Sequence, residues 1–395
     1  MNGGIKFIIN SVLSMVVIIL SYIIPKKERL LVFSTADGIN FKDNPKYLYL
    51  YILNNVPEYK VYWATASKHL YNELKEKRLP VTYIYTFKHL IKLLRAEIIV
   101  NDDTENPALY NSLFSFLGRF NLLLTWHGTG FKNIGLMDDK YNRENYRFKK
   151  ILFYMRKKLY QKYFFIIATS DKDKERKEVC FQNNNVYVTG APRNDIFFNV
   201  KRTKDYKKKF NIDKYNTIIV YAPTFRETNK FIPFSEEFYL KLQQYLQQTN
   251  SIFVVKKHKY DRALNVPCIY DNIIDLTPKV GDVQELLTVA DILISDYSGI
   301  VSDFVLTERP ILFYVYDYDD YVKNCRTFTY DLKKLLPGPF IYNEDVLLQY
   351  ICDIKWFDDK LYKNRYLKFK ELFQKYDDDK SSFRVLALLE NMQKR

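Results

Sequence analysis

The chain has 395 residues and carries 61 Lys and Arg against 46 Asp and Glu, a formal net charge of +15. This length exceeds that of one ordinary domain, so the sequence predicts two. Apolar residues make up 47% of the chain and Gly and Pro are few, which excludes a disordered or fibrous protein. The excess of positive charge indicates an anionic partner, and nucleic acid, an acidic membrane face or a phosphorylated substrate all fit it.

The four cysteines lie far apart and show no C-x-x-C spacing. The sequence therefore predicts neither a zinc site nor a disulfide framework, and a reducing compartment is the simpler interpretation. The carboxylates of residues 316–321 lack the spacing of oxygen ligands and have no histidine nearby. We therefore expect no metal ion and no other cofactor.

Residues 5–24 are almost uninterrupted apolar sequence, and the basic stretch 25–29 follows at once. About 20 apolar residues are enough to cross a hydrocarbon core. The positive flank on the C-terminal side favours a cytoplasmic location for the rest of the chain, whether the segment spans the membrane or lies in its interface. No small-residue cleavage pattern indicates removal. We expect residues 1–29 to form an apolar membrane-associated segment at the cytoplasmic face of the cell membrane, with a buried core helix as the alternative.

From residue 30 onward, short apolar runs alternate with helix-like stretches, as in a parallel sheet covered by helices on both faces. Strands are predicted in the first half at residues 30–34, 61–64, 81–85, 98–100, 122–126, 166–168 and 186–189. After a linker with a short helix at 201–216, they are predicted at 217–221, 252–255, 269–270, 292–294 and 311–314. We expect an α/β protein with two Rossmann-like domains, 30–200 and 201–350, that face a cleft, followed by C-terminal helices at 351–395.

The stretch 291–304 predicts a strand, a tight turn and a helix, because an apolar run ends in polar and small residues before apolar residues recur at helical spacing. The free N–H groups and the dipole of a helix start accommodate a phosphate, and this turn falls at the carboxyl end of a strand. Ser295, Ser298 and Ser302 can add hydroxyl donors. The alternative is that Ser298 merely caps the helix and Asp303 is a solvated acid of the first turn.

A glycine-rich turn follows the strand at 122–124, and it contains Trp126, His127, Gly128, Thr129 and Lys132. A histidine at the start of such a turn can approach a substrate hydroxyl and take its proton. His127 is therefore the candidate base, and the alternative is that it holds the loop by hydrogen bonding. His69 and His89 fall in helix-like stretches, and we expect both to be ordinary surface residues.

Two further strand ends carry cations. Lys257 and His258 follow the strand at 252–255 and can bind a diphosphate or stabilise the charge on a leaving phosphate, although an exposed basic turn is the alternative. Arg226, close to Thr224 after the strand at 217–221, can grip a phosphate bidentately. Arg326 adds a cation in a later loop.

Taken in order, these motifs resemble the CDP-glycerol glycerophosphotransferase family of teichoic acid and capsule synthesis. The likeness runs over residues 32–339 and includes the N-terminal pattern of residues 33–45. The motifs that carry it are Trp126-His127-Gly128-Thr129, Pro223-Thr224-Phe225-Arg226, Lys257-His258, Ser295-Asp296-Tyr297-Ser298 with Asp303-Phe304, Arg309-Pro310 and residues 321–339.

This resemblance implies a GT-B-like pair of Rossmann domains and membrane attachment. It also implies transfer of a polyol phosphate, most directly glycerol phosphate, from a CDP-polyol to a hydroxyl of a lipid-linked saccharide or polyol-phosphate acceptor, with release of CMP. His127 corresponds to the general base, and His258 to a second essential histidine that contacts the donor's phosphates. The remaining expected substrate-binding residues are Trp126, Gly128, Thr129, Lys132, Thr224, Arg226, Lys257, Ser295, Asp296, Ser298, Gly299 and Arg326.

Two other functions remain open at this stage. A glycosyltransferase that uses a nucleotide sugar would share the architecture and the phosphate-binding turn. A non-catalytic membrane-bound protein that binds an anionic polymer would explain the charge and the aromatic content, but it leaves the histidines at the strand ends without a role. We do not expect nucleic acid as a partner.

Overall fold

The structure is a computed structural model that describes residues 3–110, 112–128, 130–131, 133–138, 147–224, 226, 232–257, 264–324, 328 and 330–393. The contacts between residues in space divide the chain into two compact units. Unit 1 consists of Met1–His127, Ile134–Asp195 and Lys380–Arg395, and unit 2 consists of Gly128–Asn133 and Ile196–Asp379.

Within the described residues, seven parallel strands form the sheet of unit 1 in the order β3-β2-β1-β4-β5-β6-β7. They are β1 Lys27–Phe33, β2 Lys60–Thr65, β3 Val81–Tyr83, β4 Ala96–Asn101, β5 Leu122–Leu124, β6 Tyr163–Ala168 and β7 Val186–Val188. Successive side chains of β1 pack in different apolar clusters, since Leu31 and Phe33 belong to one cluster and Val32 to another. Both faces of the sheet are therefore covered, which explains why its strands are apolar runs without polar alternation.

The helices of unit 1 are α1 Gly3–Ile23, α2 Asp43–Asn55, α3 Lys68–Glu76, α4 Phe87–Arg95, α5 Arg147–Lys162, α6 Asp171–Phe181 and, near the end of the chain, α15 Ser381–Gln393. Ser67, Thr86 and Ser170 begin α3, α4 and α6, because each side chain accepts a hydrogen bond from the N–H three residues later. The expectation for His89 was wrong: this α4 side chain is fully buried, whereas His69 on α3 is exposed.

Unit 2 contains, in the part of the chain that the structure describes, six parallel strands in the order β10-β9-β8-β11-β12-β13. They are β8 Thr217–Tyr221, β9 Ser251–Val255, β10 Ile273–Asp275, β11 Ile292–Ser295, β12 Ile311–Tyr314 and β13 Phe340–Ile341. The helices are α7 Val200–Lys209, α8 Glu236–Gln248, α9 Val283–Val289, α10 Ile300–Phe304, α11 Tyr318–Asn324, α12 Leu332–Leu335, α13 Glu344–Cys352 and α14 Lys360–Phe373. Phe131, which belongs to the segment Gly128–Asn133 of this unit, is fully buried in its core, against Phe369 and Phe373.

The predicted α/β architecture with two parallel sheets is confirmed, while the shared cleft stays a prediction. Two predicted strands differ from the structure. No strand forms at 269–270, because Ile269 is 81% exposed in a turn after Pro267, and the strand is β10 instead. The strand predicted to end at Trp126 ends at Leu124, because Trp126 has a left-handed φ of 55° that turns the chain out of the sheet.

The apolar N-terminal stretch forms α1, and one side of this helix packs on unit 1. Val17, Ile18 and Ser21 are buried, and the Tyr22 hydroxyl donates to the backbone oxygen of Leu117 at 2.6 Å. Among the described helices, none combines the length and the hydropathy needed to cross a membrane. The spanning form of the membrane expectation is therefore not supported.

Candidate functional site

His127 lies just past the carboxyl end of β5, beside the residues that follow β4. Its Nδ1 is 3.1 Å from the backbone oxygen of Asp102 and 3.8 Å from Oδ2 of Asp103. The two strands are neighbours in the sheet, so their carboxyl ends bring these groups together. The His127 side chain is 48% exposed, and within the described residues its polar contacts fall on Nδ1. Nε2 therefore has no polar contact among the described residues.

The Trp126 ring holds the plane of the His127 imidazole. The two ring centroids are 4.5 Å apart with an interplanar angle of 26°, and the indole also contacts the ring of Phe181 at 4.9 Å. Trp126 is 6% exposed, so the indole is itself fixed by burial. Its left-handed backbone is costly for a bulky residue, and such strain persists only where the surroundings determine the conformation.

The Asn44 side chain holds the backbone of Trp126 in this conformation. Its Nδ2 donates to the backbone oxygen of Trp126 at 2.8 Å and lies 3.4 Å from that of Thr125, while its Oδ1 accepts from the backbone N–H of Arg193 at 3.1 Å. Asp43 is also left-handed, with φ 62°, and its carboxylate accepts from the Arg193 guanidinium at 2.8 Å. The buried amide of Asn44 therefore holds the left-handed backbone of Trp126, and the ion pair with Arg193 holds that of Asp43.

Asp102, whose backbone oxygen faces Nδ1 of the imidazole, is almost completely buried. Its Oδ1 accepts from the backbone N–H of Ala36 at 2.6 Å. Burial raises the pKa of Asp102 well above its usual range, and the nearby charges of Asp43 and Asp103 raise it further. Burial therefore disfavours the ionised form of the Asp102 carboxyl.

Sequence reasoning found His127 and Trp126 but did not assign roles to Asn44, Asp102, Asp103 or Arg193. Asp102 and Asp103 lie one residue beyond the predicted strand at 98–100, so the rule that polar residues at strand ends form sites would have found them. Asn44 lies within the N-terminal pattern of the resemblance. No local signal points to Arg193, which reaches the site from another part of the chain.

In unit 2 the carboxylate of Asp296, at the end of β11, is the centre of a buried network. It accepts from the backbone N–H of Thr224 at 2.9 Å and from its hydroxyl at 2.7 Å. It also pairs with the Arg226 guanidinium at 2.8 Å. Nε of Arg226 bonds to Asp317 at 2.5 Å, and a second N–H of the guanidinium bonds to that carboxylate at 3.0 Å.

Arg226 is predicted to bind a phosphate, but its guanidinium already makes these contacts with Asp296 and Asp317. The guanidinium also donates to the Thr224 carbonyl at 2.7 Å, and the rings of Tyr297 and Tyr321 lie 5.3 and 4.9 Å from it. Burial alone lowers the pKa of Arg226, but the carboxylates of Asp296 and Asp317 raise it above its usual range. Because one cation lies between two carboxylates, these three side chains together carry a net negative charge. The contacts give Arg226 a structural role, which is to hold the turn in place. A phosphate contact for Arg226 stays a prediction.

The predicted strand, turn and helix at 291–304 are confirmed as β11, a turn and α10. The expected serine donors are corrected in part. The Ser295 hydroxyl donates to the Ala222 carbonyl at 2.8 Å, and the Ser302 hydroxyl donates to the Gly299 carbonyl at 2.7 Å. A hydroxyl has one hydrogen, so these two cannot also donate to a phosphate. Gly299, and not Ser298, is the residue that precedes the helix.

Lys257 is braced within unit 2, since its Nζ donates to the Leu264 carbonyl and lies 3.6 Å from the Asp275 carboxylate. Gly128 and Ser298 are half-buried. The expected site residues Thr129, Lys132, His258 and Arg326 lie outside the described residues. Their predicted roles stay predictions.

The structure thus defines a protein of the doubly wound α/β class, with two parallel sheets that carry polar side chains at the carboxyl ends of their strands. Residues 16–391 match the family described as CDP-glycerol:poly(glycerophosphate) glycerophosphotransferase. Because this match covers most of the sequence, the chain belongs to that family. The family resemblance drawn from the motifs is confirmed, and with it the expectation of a phosphotransferase-type enzyme.

Curated relatives agree with this membership. The chain is 26% identical over 383 residues to the teichoic acid glycerol-phosphate transferase of Staphylococcus aureus, which covers 92% of both proteins. It is 28% identical over 355 residues to the teichoic acid poly(glycerol phosphate) polymerase of Bacillus subtilis, which covers 85% of this chain. The chain spans only 45% of that polymerase's length.

The fold is also that of a solved protein. The wall teichoic acid polymerase TagF superposes with a TM-score of 0.77 at 21% identity, over 98% of this chain and 94% of that one. A variant of TagF has been solved after a soak with CDPG, and it superposes with the same TM-score. At this identity the likeness establishes the fold.

Proposed function

We propose that this protein transfers a polyol phosphate, most directly glycerol phosphate, from a CDP-polyol to a hydroxyl of a lipid-linked acceptor in teichoic acid or capsule-type polymer synthesis, and releases CMP. The family membership and the activities named for the relatives support this proposal. The soak of TagF with CDPG supports the choice of donor. The observation that carries the proposal is His127, fixed at a strand end with one ring nitrogen against the protein and the other available.

The reaction is a direct in-line displacement. The acceptor oxygen attacks the phosphorus nearest the polyol while Nε2 of His127 takes the hydroxyl proton. The bond from that phosphorus to the bridging oxygen breaks, and CMP leaves with the bonding electron pair. Positioning and charge stabilisation supply most of the catalysis in such transfers.

In unit 2 the donor's diphosphate meets His258 and Arg326, by analogy with the family, together with the turn at Ser298. Charge-assisted bonds from these groups neutralise the leaving phosphate. The Arg226 network sets the shape of this edge by fixing Thr224 and Asp296.

A donor assay tests the proposal. The purified chain is incubated with a lipid-linked acceptor and with CDP-glycerol, CDP-ribitol or UDP-sugars, and nucleotide release is measured. CMP release that depends on the acceptor is expected. UDP release instead would support a glycosyltransferase, and salt-dependent polymer binding without nucleotide release would support a binding protein.

The base assignment is tested by His127→Ala, with His69→Ala as the matched control because His69 is exposed on α3. We expect His127→Ala to lose about a hundredfold or more of the CMP release, while its circular dichroism and melting curve match the wild type. Retention of most of the activity in a folded His127→Ala variant would refute the assignment.

The same protein is proposed to act at the cytoplasmic face of the cell membrane, attached through the outer side of α1. Val12, Ile19 and Ile23 on that side are 59%, 61% and 70% exposed, and they recur at helical spacing. On α5, Ile151 is 58% exposed beside the exposed Lys150. Both helices pack on the 3-10 helix Ser112–Leu117. Exposed apolar side chains with a cation nearby suit the interface of an anionic bilayer.

Vesicle flotation tests this attachment. The full chain should float with phosphatidylglycerol vesicles, and a variant with Ile19→Glu and Ile23→Glu should remain at the bottom. Val179→Glu is the matched control, since Val179 is 62% exposed on α6. Equal flotation of the double variant and the wild type would exclude α1 as the attachment surface.

A further inference from the structure

We infer that Asp103 is a positioning residue for His127, and that it acts together with the backbone carbonyl of Asp102. The carbonyl fixes the imidazole as the Nδ1–H tautomer, and the Asp103 carboxylate stabilises the imidazolium that forms when Nε2 takes a proton. The second half of this inference rests on the proposed function. The first half is a statement about the resting protein and stands without it.

The tautomer follows from the chemistry of the partner. A carbonyl oxygen can only accept, and the Asp102 oxygen lies 3.1 Å from Nδ1 of His127. A lone pair on Nδ1 would face the lone pairs of that oxygen, so the hydrogen of the neutral ring resides on Nδ1. The neutral imidazole has one N–H, and Nε2 therefore carries the lone pair that a general base needs.

The position of the Asp103 carboxylate is set by its neighbours. Its Oδ1 accepts from the backbone N–H of Thr104 at 2.5 Å and from the Thr104 hydroxyl at 3.1 Å. The backbone oxygen of Asp103 accepts from Nδ2 of Asn101 at 2.5 Å. These bonds leave Oδ2 directed at His127, 3.8 Å from Nδ1. That separation exceeds a hydrogen bond, so the carboxylate acts on the ring as a charge.

The imidazole cannot easily turn away from these partners. Its face stacks on the buried indole of Trp126, and the backbone oxygen of Trp126 is held by Asn44. A ring flip would exchange Nδ1 for a carbon opposite the Asp102 carbonyl and lose that bond. The stack and the carbonyl together select one ring orientation, and in that orientation Nδ1 lies 3.8 Å from the Asp103 carboxylate.

The tautomer is tested on the resting full chain by long-range proton–nitrogen correlation spectra with ¹⁵N-labelled histidine at mildly alkaline pH. The chain has 4 histidines, and the peaks that vanish in His127→Gln belong to His127. We expect a protonated-type Nδ1 and an unprotonated-type Nε2. The opposite pattern would overturn the inference, and this readout requires no donor and no activity.

The carboxylate is tested by Asp103→Asn, an isosteric change that removes the charge. We expect kcat for CMP release to fall about tenfold with the KM for CDP-glycerol nearly unchanged, since the charge acts on the protonated ring and not on the donor. Asp103→Glu restores the charge and should recover part of kcat. Asp205→Asn, on the exposed face of α7, is the matched control and should behave as the wild type.

The two proposals fail in different ways. Full kcat in Asp103→Asn, together with loss in His127→Ala, would overturn the positioning role and leave the proposed function standing. Retained transfer in His127→Ala would refute the base assignment, and absence of CMP release from the wild type would refute the proposed function. In either case the tautomer would still be decided by the nitrogen spectra. A fall in kcat that Asp103→Glu does not recover at all would show a packing defect and overturn the role of the charge.

Discussion

The side-chain amide of Asn44 donates to the backbone oxygen of Trp126 at 2.8 Å, across 82 residues of sequence. Trp126 has φ 55°, and its indole stacks on the candidate base His127. Asn44 is 2% exposed, so its amide has exchanged water for this carbonyl and for the N–H of Arg193. The bond therefore holds a strained turn in the one conformation that presents the imidazole.

The substitution Asn44→Ala should weaken both the fold and the reaction. It leaves the buried carbonyl of Trp126 and the N–H of Arg193 without their partner, which costs about 1–3 kcal/mol of unfolding free energy. Urea unfolding and CMP release measure the two effects. Asn55→Ala is the control, because its amide makes an exposed bond within α2. An Asn44→Ala variant that is as stable and active as the wild type would contradict this role.

His89 predicts an acid-sensitive fold. Its Nε2 lies 3.0 Å from the Ala108 carbonyl, and burial lowers its pKa from 6.5 to about 4. Above pH 6.5 the residue is neutral in both states and has no effect. As the pH falls through 6.5 the unfolded chain binds a proton that the folded chain refuses until about pH 4, so stability is lost over this window. The loss at the lower end is about 3 kcal/mol.

His89→Gln is the diagnostic variant, because its amide can still donate to the Ala108 carbonyl but does not titrate. Urea unfolding at several pH values between 7 and 4 should give a shallower decline for His89→Gln than for the wild type. His69→Gln, at an exposed position, should leave the profile unchanged. Parallel profiles for all three proteins would refute the assignment to His89.

Arg226→Met separates a brace from a phosphate contact. The substitution leaves Asp296 and Asp317, which are 1% and 6% exposed, without their shared cation. Breaking such a buried network costs about 3–5 kcal/mol. Denaturant unfolding checks this, with Arg202→Met on α7 as the exposed control. If Arg226→Met lost activity but kept full stability, the main role of the guanidinium would be contact with the donor.

The chain offers a matched pair of glycines in unit 2. A Cβ at Gly338 would lie 2.0 Å from the Ile311 carbonyl oxygen, which is backbone of β12, whereas a Cβ at Gly281 would meet nothing within 4 Å. Gly338→Ala should lower the unfolding free energy by about 1–3 kcal/mol or more, because the strand must move. Gly281→Ala should change it little. Thermal unfolding of the two variants checks the contrast. Equal melting temperatures would show that β12 accommodates the added Cβ without a loss of stability.

Much of the architecture could be read from local pattern. The strands β8, β9, β11 and β12 were predicted to within a residue or two, because a strand buried on both faces is a short apolar run between turn residues. The failure at 269–270 has the same origin, since a short apolar run resembles a strand until its packing is known. The helix-like stretch predicted around His89 is the helix α4, but which of its faces is buried depends on the neighbours that pack on it.

What the sequence determined by itself is the alternation of strands and helices, the family, and the histidine at the end of β5. Each of these depends on residues close together in the chain, where periodicity and motif order carry the information. What only the tertiary structure decided is which group each polar side chain meets. Asp317 meets Arg226 across 91 residues, and Asp102 meets His127 across 25, because parallel strands bring distant strand ends to one edge. No local pattern in the sequence predicts such a pairing. The pairing with Asp317 holds the Arg226 guanidinium within the fold, and the pairing with Asp102 orients the imidazole of the candidate base His127.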